Sequence, residues 1–149
     1  MTLENLSKTG QLKAHETDPA EIDRLLEVAQ RNLNDSSVES ISLETRFDAA
    51  YKAIMQSALA ALMANGYRPD TNRPGHHMTV IQSLTKTIGL PGERVTVLDA
   101  LRRKRNQSDY TGEGADKRST ESCIQEAAQL LAELTEWLKE NRPDLIHDP

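Results

Sequence analysis

Aromatic side chains are scarce in this chain: one Phe, one Trp and three Tyr, 3% of 149 residues. Proteins that grip single-stranded nucleic acid on a sheet or small barrel stack bases on aromatic platforms, so the composition argues against that kind of binder. Cysteine is scarcer still. Cys123 stands alone, which excludes an intramolecular disulfide and a CxxC pair and fits a reducing compartment. The longest uncharged apolar run, residues 58–64, is far too short to cross a bilayer, and the opening MTLENLSKTG has no basic stretch leading into an apolar one. The expectation is a cytoplasmic protein with no membrane partner. The charge is acidic, -5 at pH 7, so any polyanion has to be met by a local patch rather than by the field of the whole molecule.

No stretch alternates apolar and polar residues convincingly over the length of a strand. VTVLDAL at 95–101 has β-branched residues, but its leucine spacing and the basic run after it favour helix. What the sequence does have is helical periodicity. Residues 1–17 are polar without a period and are expected to form a flexible arm. Asp18 and Pro19 open the first helix, with Glu21 three residues on from the cap; Ile22, Leu25, Leu26, Ala29 and Leu33 are its stripe, and it ends near residues 34–37.

A second helix, about residues 43–65, carries Phe47, Ala50, Tyr51, Ile54, Ala58, Leu59 and Leu62 at three- and four-residue spacing. Gly66 ends it as a left-handed residue. After a proline-containing loop at 68–75, a third helix runs over about 76–88, with His77, Val80, Ile81, Leu84 and Ile88 on its buried face. A fourth starts near Glu93 and loses regularity between Asn106 and Thr111. The last runs from about Ser119 to Asn141, with Ile124, Ala127, Ala128, Leu131, Leu134 and Leu138 inward. The fold class is all-α, one helical domain over 18–149.

Most chemistry-bearing residues have plain readings. Gly112 and Gly114 complete neither the dinucleotide nor the Walker spacing, and no strand precedes them, so they make a flexible connector. His76 and His77 are adjacent and point about 100° apart on a helix, so they do not pair on one metal. Glu126, Glu133, Glu136 and Glu140 follow the solvated face of the last helix. Cys123 has no activating neighbour in sequence.

The stretch VLDALRRKRNQSDY, 97–110, differs. Leu98, Leu101 and Arg105 lie at helical spacing, so Arg105 shares the apolar stripe while Arg102, Arg103 and Lys104 spread over the exposed side. An inward guanidinium needs a carboxylate, a facing chain or a bound phosphate. From this need follows the expectation of a homodimer.

The order of parts, RFDAAYKAIMQSALAALMANGYRP, the proline-containing loop, HHMTVIQSL, ALRRKRNQSDY and a long final helix, resembles the HEPN domain (higher eukaryotes and prokaryotes nucleotide-binding) over about residues 40–141. That resemblance implies an up-and-down four-helix bundle, with the helix at 18–34 as an N-terminal addition. It also implies a protein that works without metal or cofactor. Many members are metal-independent ribonucleases or partners of minimal nucleotidyltransferases in toxin–antitoxin pairs. Their motif is an arginine, often followed by a polar residue, and then a histidine a few residues on. Arg105 and Asn106 match the first half, and Tyr110 stands where the histidine belongs.

That departure matters, because proton transfer near neutral pH suits histidine, at about 6.5, and not tyrosine, at about 10. Asp109 is the substitute base and Arg105 the phosphate clamp. Catalytic roles therefore fall on Arg105, Asn106, Asp109 and Tyr110, and electrostatic binding on Arg102, Arg103 and Lys104. The expected function is a HEPN-like protein that associates with a nucleotide, RNA or a nucleotidyltransferase in a toxin–antitoxin or defence pair. Its alternatives are an endoribonuclease with a composite site across a homodimer interface, and a structural adaptor using its alanine-rich face.

Overall fold

In chain order the elements are α1 (Leu3–Lys8), β1 (Leu12–Ala14), α2 (Pro19–Ser36), α3 (Leu43–Ala64), β2 (Tyr67–Pro69), α4 (His76–Gln82), α5 (Leu84–Thr87), α6 (Gly92–Thr111) and α7 (Lys117–Asn141), followed by a 3-10 turn at Pro143–Leu145. This computed structural model describes residues 2–146, apart from the side chains of Asp109 and Tyr110. The chain is mostly helical, as its periodicity predicts.

Alanine sets the geometry of the centre. Ser42 caps α3 by accepting from the Thr45 N–H, and Ala50, Ala53, Ala58, Ala60, Ala61 and Ala64 are all buried along it. A helix surfaced with methyl groups lets its neighbours approach on several sides. α2, opened by Asp18 and Pro19 as the sequence predicts, packs along α3 in the opposite direction. Arg46 Nε donates to Ser36 O at 2.8 Å at one end, and Thr17 Oγ1 donates to Met63 O at 2.7 Å at the other. α7 lies along α3 in the same direction, from Thr120 Oγ1 beside Leu43 O to Arg142 Nη1 on Ala64 O at 2.7 Å. α6 opposes both, with Arg105 near Asp48 of α3, Arg94 on Glu133 of α7 and Lys104 near Asp116. The four longest helices thus alternate in direction along the chain.

Several expectations are corrected. The arm expected at 1–17 contains α1 and β1; Leu12 is buried, and β1 pairs antiparallel with β2 in the register Leu12↔Pro69 and Ala14↔Tyr67. Strands of three residues are too short to leave an alternation that can be read. The helix expected at 76–88 is broken at Ser83, whose hydroxyl donates to Val80 O at 2.7 Å. His77 is exposed instead of lining the core, because Val80, Ile81 and Leu84 suffice to anchor this short segment. α6 keeps helical backbone through Asn106 to Thr111 and stops only at Gly112, at φ 72°. On α7 the buried stripe is Thr120, Cys123, Ala127, Leu130, Leu131, Leu134 and Leu138, so Ala128 is exposed and Ile124 only half-buried. Two polar-looking positions, Thr120 and Cys123, rotate that stripe away from the one the leucines suggest.

Leu134 is fully buried in this stripe. Leu134→Ala is expected to lower stability by about 2 to 5 kcal/mol. Urea denaturation measures it, and an unchanged midpoint would contradict the packing.

Candidate functional site

α6 buries Val95, Leu98 and Asp99, and Arg102 is largely enclosed beside them. These four positions fall at i, i+3, i+4 and i+7, the spacing of one helix face. Two of them are charged, which disguises the face in the sequence. Asp99, its side chain 8% exposed, accepts from Arg102 Nε at 2.8 Å and from Arg103 Nη2 at 2.9 Å. These hydrogen bonds, that from Arg102 foremost, hold the Asp99 carboxyl below the usual carboxylate range against the opposing effect of burial. Arg102 therefore does not sit on the exposed side as expected: its side chain is 15% exposed, less than the 29% of Arg105, whereas Arg103 at 74% is at the surface.

Arg105 reaches α3. Its Nε lies 3.4 Å from Asp48 Oδ1, and its guanidinium carbon stands 5.5 Å from the centre of the Tyr51 ring, within the range of a cation–π contact. The partner that an inward arginine needs is thus supplied within the chain. Asp48 is 49% exposed and the separation exceeds that of a close charge-assisted hydrogen bond. The Tyr51 hydroxyl is buried and has no hydrogen-bond partner among the described residues. Burial pushes its pKa up to about 12, and the neighbouring Arg102 and Arg105 pull in the other direction. Tyr51 is therefore a neutral phenol at physiological pH, not a base.

A histidine belongs to the same neighbourhood. His77, at the start of α4, has its pKa lowered by partial burial, then by His76, Arg105 and Arg102. The His76 and His77 rings meet edge to face at 4.5 Å between centroids. Cations nearby and loss of water both favour the neutral imidazole.

Arg105 also borders a cavity of about 60 Å³ walled by Glu44, Asp48, Lys104, Ser108 and Glu113. It has room for a few water molecules and not for a nucleotide. Gly114 lies so close to the Glu44 carboxylate that a Cβ there would collide with it. Ser108 Oγ of α6 donates to Glu113 O at 2.7 Å, so the connector expected to be flexible is tied to α6 as well as lying against Glu44 of α3.

Of the expected site residues, then, Arg102 and Arg105 share one region with Tyr51, Asp48, Asp99 and His77. Asn106 is exposed and Lys104 pairs with Asp116 at 3.7 Å. Asp109 and Tyr110 have side chains outside the described residues. Two glutamates expected on the solvated face of α7, Glu126 and Glu133, are instead engaged by Arg94 at 3.4 and 2.7 Å. Cys123 is buried and its thiol pushed up to about 12, an unreactive packing group. No protein-family model matches this chain, and no curated protein matches it.

Asp99→Ala leaves the enclosed Arg102 without its carboxylate and is expected to cost about 3 kcal/mol. The Asp99 pKa is depressed by folding, so its contribution is present above about pH 3.9 and is lost as pH falls through the folded-state value. Urea midpoints of both proteins across an acid series test this. A gap that does not narrow on acidification would show that the charge is not what stabilises.

Proposed function

We propose that this chain is a HEPN-like four-helix protein that binds the phosphate of a nucleotide or RNA at Arg105. The observation that carries the reading is the position of that guanidinium, half-buried over the Tyr51 face and 3.4 Å from the half-exposed carboxylate of Asp48. A phosphate takes the place of Asp48 on the planar fork in two hydrogen bonds, and the partial burial strengthens them. The long helices α2, α3, α6 and α7 alternate in direction as in an up-and-down bundle, but α2 is one of the four instead of an addition, and the short α4 and α5 stand where the resemblance implies a bundle helix. A homodimer and a nucleotidyltransferase partner now rest on the resemblance alone, because Asp48 and Tyr51 already give Arg105 the company that a facing chain was invoked to supply.

The neutral imidazole of His77 favours a second reading, a metal-independent endoribonuclease. In that case His77 takes the proton of a ribose 2′-hydroxyl, the role Tyr110 is unsuited to. The 2′-oxygen forms its bond to phosphorus as the bond to the 5′-oxygen breaks, and the leaving oxygen is protonated by the imidazolium.

Titration of a short RNA at one fixed salt concentration tests the binding. Arg105→Lys is expected to weaken it about tenfold, while Arg103→Lys, with the same charge at the surface, leaves it nearly unchanged. Equal affinity of wild type and Arg105→Lys, or no binding at all, would remove the reading. The same mixtures, analysed for RNA ending in a 2′,3′-cyclic phosphate, test the nuclease: wild type makes this product and His77→Gln does not, and its absence from wild type discards the second reading alone.

A further inference from the structure

We infer that the groove between α3 and α4 seats the base of a mononucleotide whose phosphate lies on Arg105; this rests on the phosphate reading above and extends it along α3. The groove measures about 200 Å³ and is lined by Met55, Leu59, Pro69, His76, His77 and Val80. Its position is set by the helix. Tyr51, Met55 and Leu59 are four residues apart, so they form one stripe. Arg105 stands over the first of them. The rise of 1.5 Å per residue puts Met55 about 6 Å and Leu59 about 12 Å farther along the axis. That is the length scale from the phosphate of a nucleotide to its base.

Size favours the groove as well: the cavity near Glu44 that Arg105 borders takes a few waters and not a base. His77 belongs to both parts: it lines the groove and feels the charges of Arg102 and Arg105.

Thioether, proline and valine walls suit the faces of a flat heterocycle. The edge of the groove offers hydrogen bonds. Gln56 accepts from Asn32 through Oε1 at 2.9 Å, which leaves its amide N–H groups to donate. His76 Nδ1 lies 3.3 Å from the Arg73 carbonyl, which only accepts. In the tautomer that carries its proton on Nδ1, Nε2 is an acceptor. Thr71 adds a hydroxyl at the rim. An apolar side chain from another protein would fill the groove but offer nothing to a guanidinium; a nucleotide engages both.

Calorimetric titration of the full chain with 5′-AMP, 5′-UMP and ribose 5-phosphate at one salt concentration tests the assignment. At least one nucleotide is expected to bind about tenfold more tightly than ribose 5-phosphate. Met55→Trp, which fills the groove, removes that margin and leaves ribose 5-phosphate binding as in wild type. His77→Ala, at an exposed position, reads the same margin should Met55→Trp not fold. Equal affinities in wild type, or a margin that survives both substitutions, would overturn the base seat while phosphate binding stands. Failure of all three ligands to bind would overturn the phosphate reading along with it.

Discussion

The approach of α2 and α7 to α3 is the constraint on which the rest depends. It is possible because α3 presents methyl groups where most helices present leucines. Close contact of this kind yields dispersion over many atoms and leaves no gap that water would fill. It also brings backbone near backbone, so polar tips reach carbonyls on the neighbouring helix: Arg46 reaches Ser36, Thr17 reaches Met63 and Arg142 reaches Ala64. α6 and the short helices α4 and α5 are placed by what this trio leaves uncovered. The face of α3 that carries Asp48, Tyr51 and Met55 is where α4 and α6 meet it.

Four consecutive cations look like a field in the sequence and behave differently in the fold. Each has a carboxylate within 4.0 Å: Asp99 for Arg102 and Arg103, Asp116 for Lys104 and Asp48 for Arg105. In a chain of net charge -5 the run therefore neither steers a polyanion from a distance nor holds one by counterion release alone. In the proposed phosphate binding, selectivity has to come from geometry at short range. Among the four, Arg105 combines partial burial, an aromatic face and a half-exposed carboxylate.

The helices were legible because burial leaves a period. The cap at Asp18, the start of α3 near residue 43, the stop at Gly66 and the stripe of α3 match the reading or lie within a residue or two of it. The arm was not: Leu12 alone among three strand residues is buried, and a single buried position has no period. α6 was misread for a different reason, since its inner face includes an ion pair. The signal was present, an aspartate three and four residues before two arginines, but pattern reading counts charges as outward. Asp48, Tyr51 and His77 carry no local mark at all. They join Arg105 through the register of α3, α4 and α6, which is a property of packing and not of any one segment.

The short sheet has a bearing on the proposed base seat. Pro69, a wall of the groove, lies in β2 and is paired in register with Leu12 of β1, while Gly10 lies against the Arg73 guanidinium of the following loop. The N-terminal segment thus holds one side of the groove in place. A wall already fixed loses little conformational entropy when something enters it, so in the proposed base seat the opening residues of the chain, far in sequence from any cation of the basic run, govern how rigid that seat is.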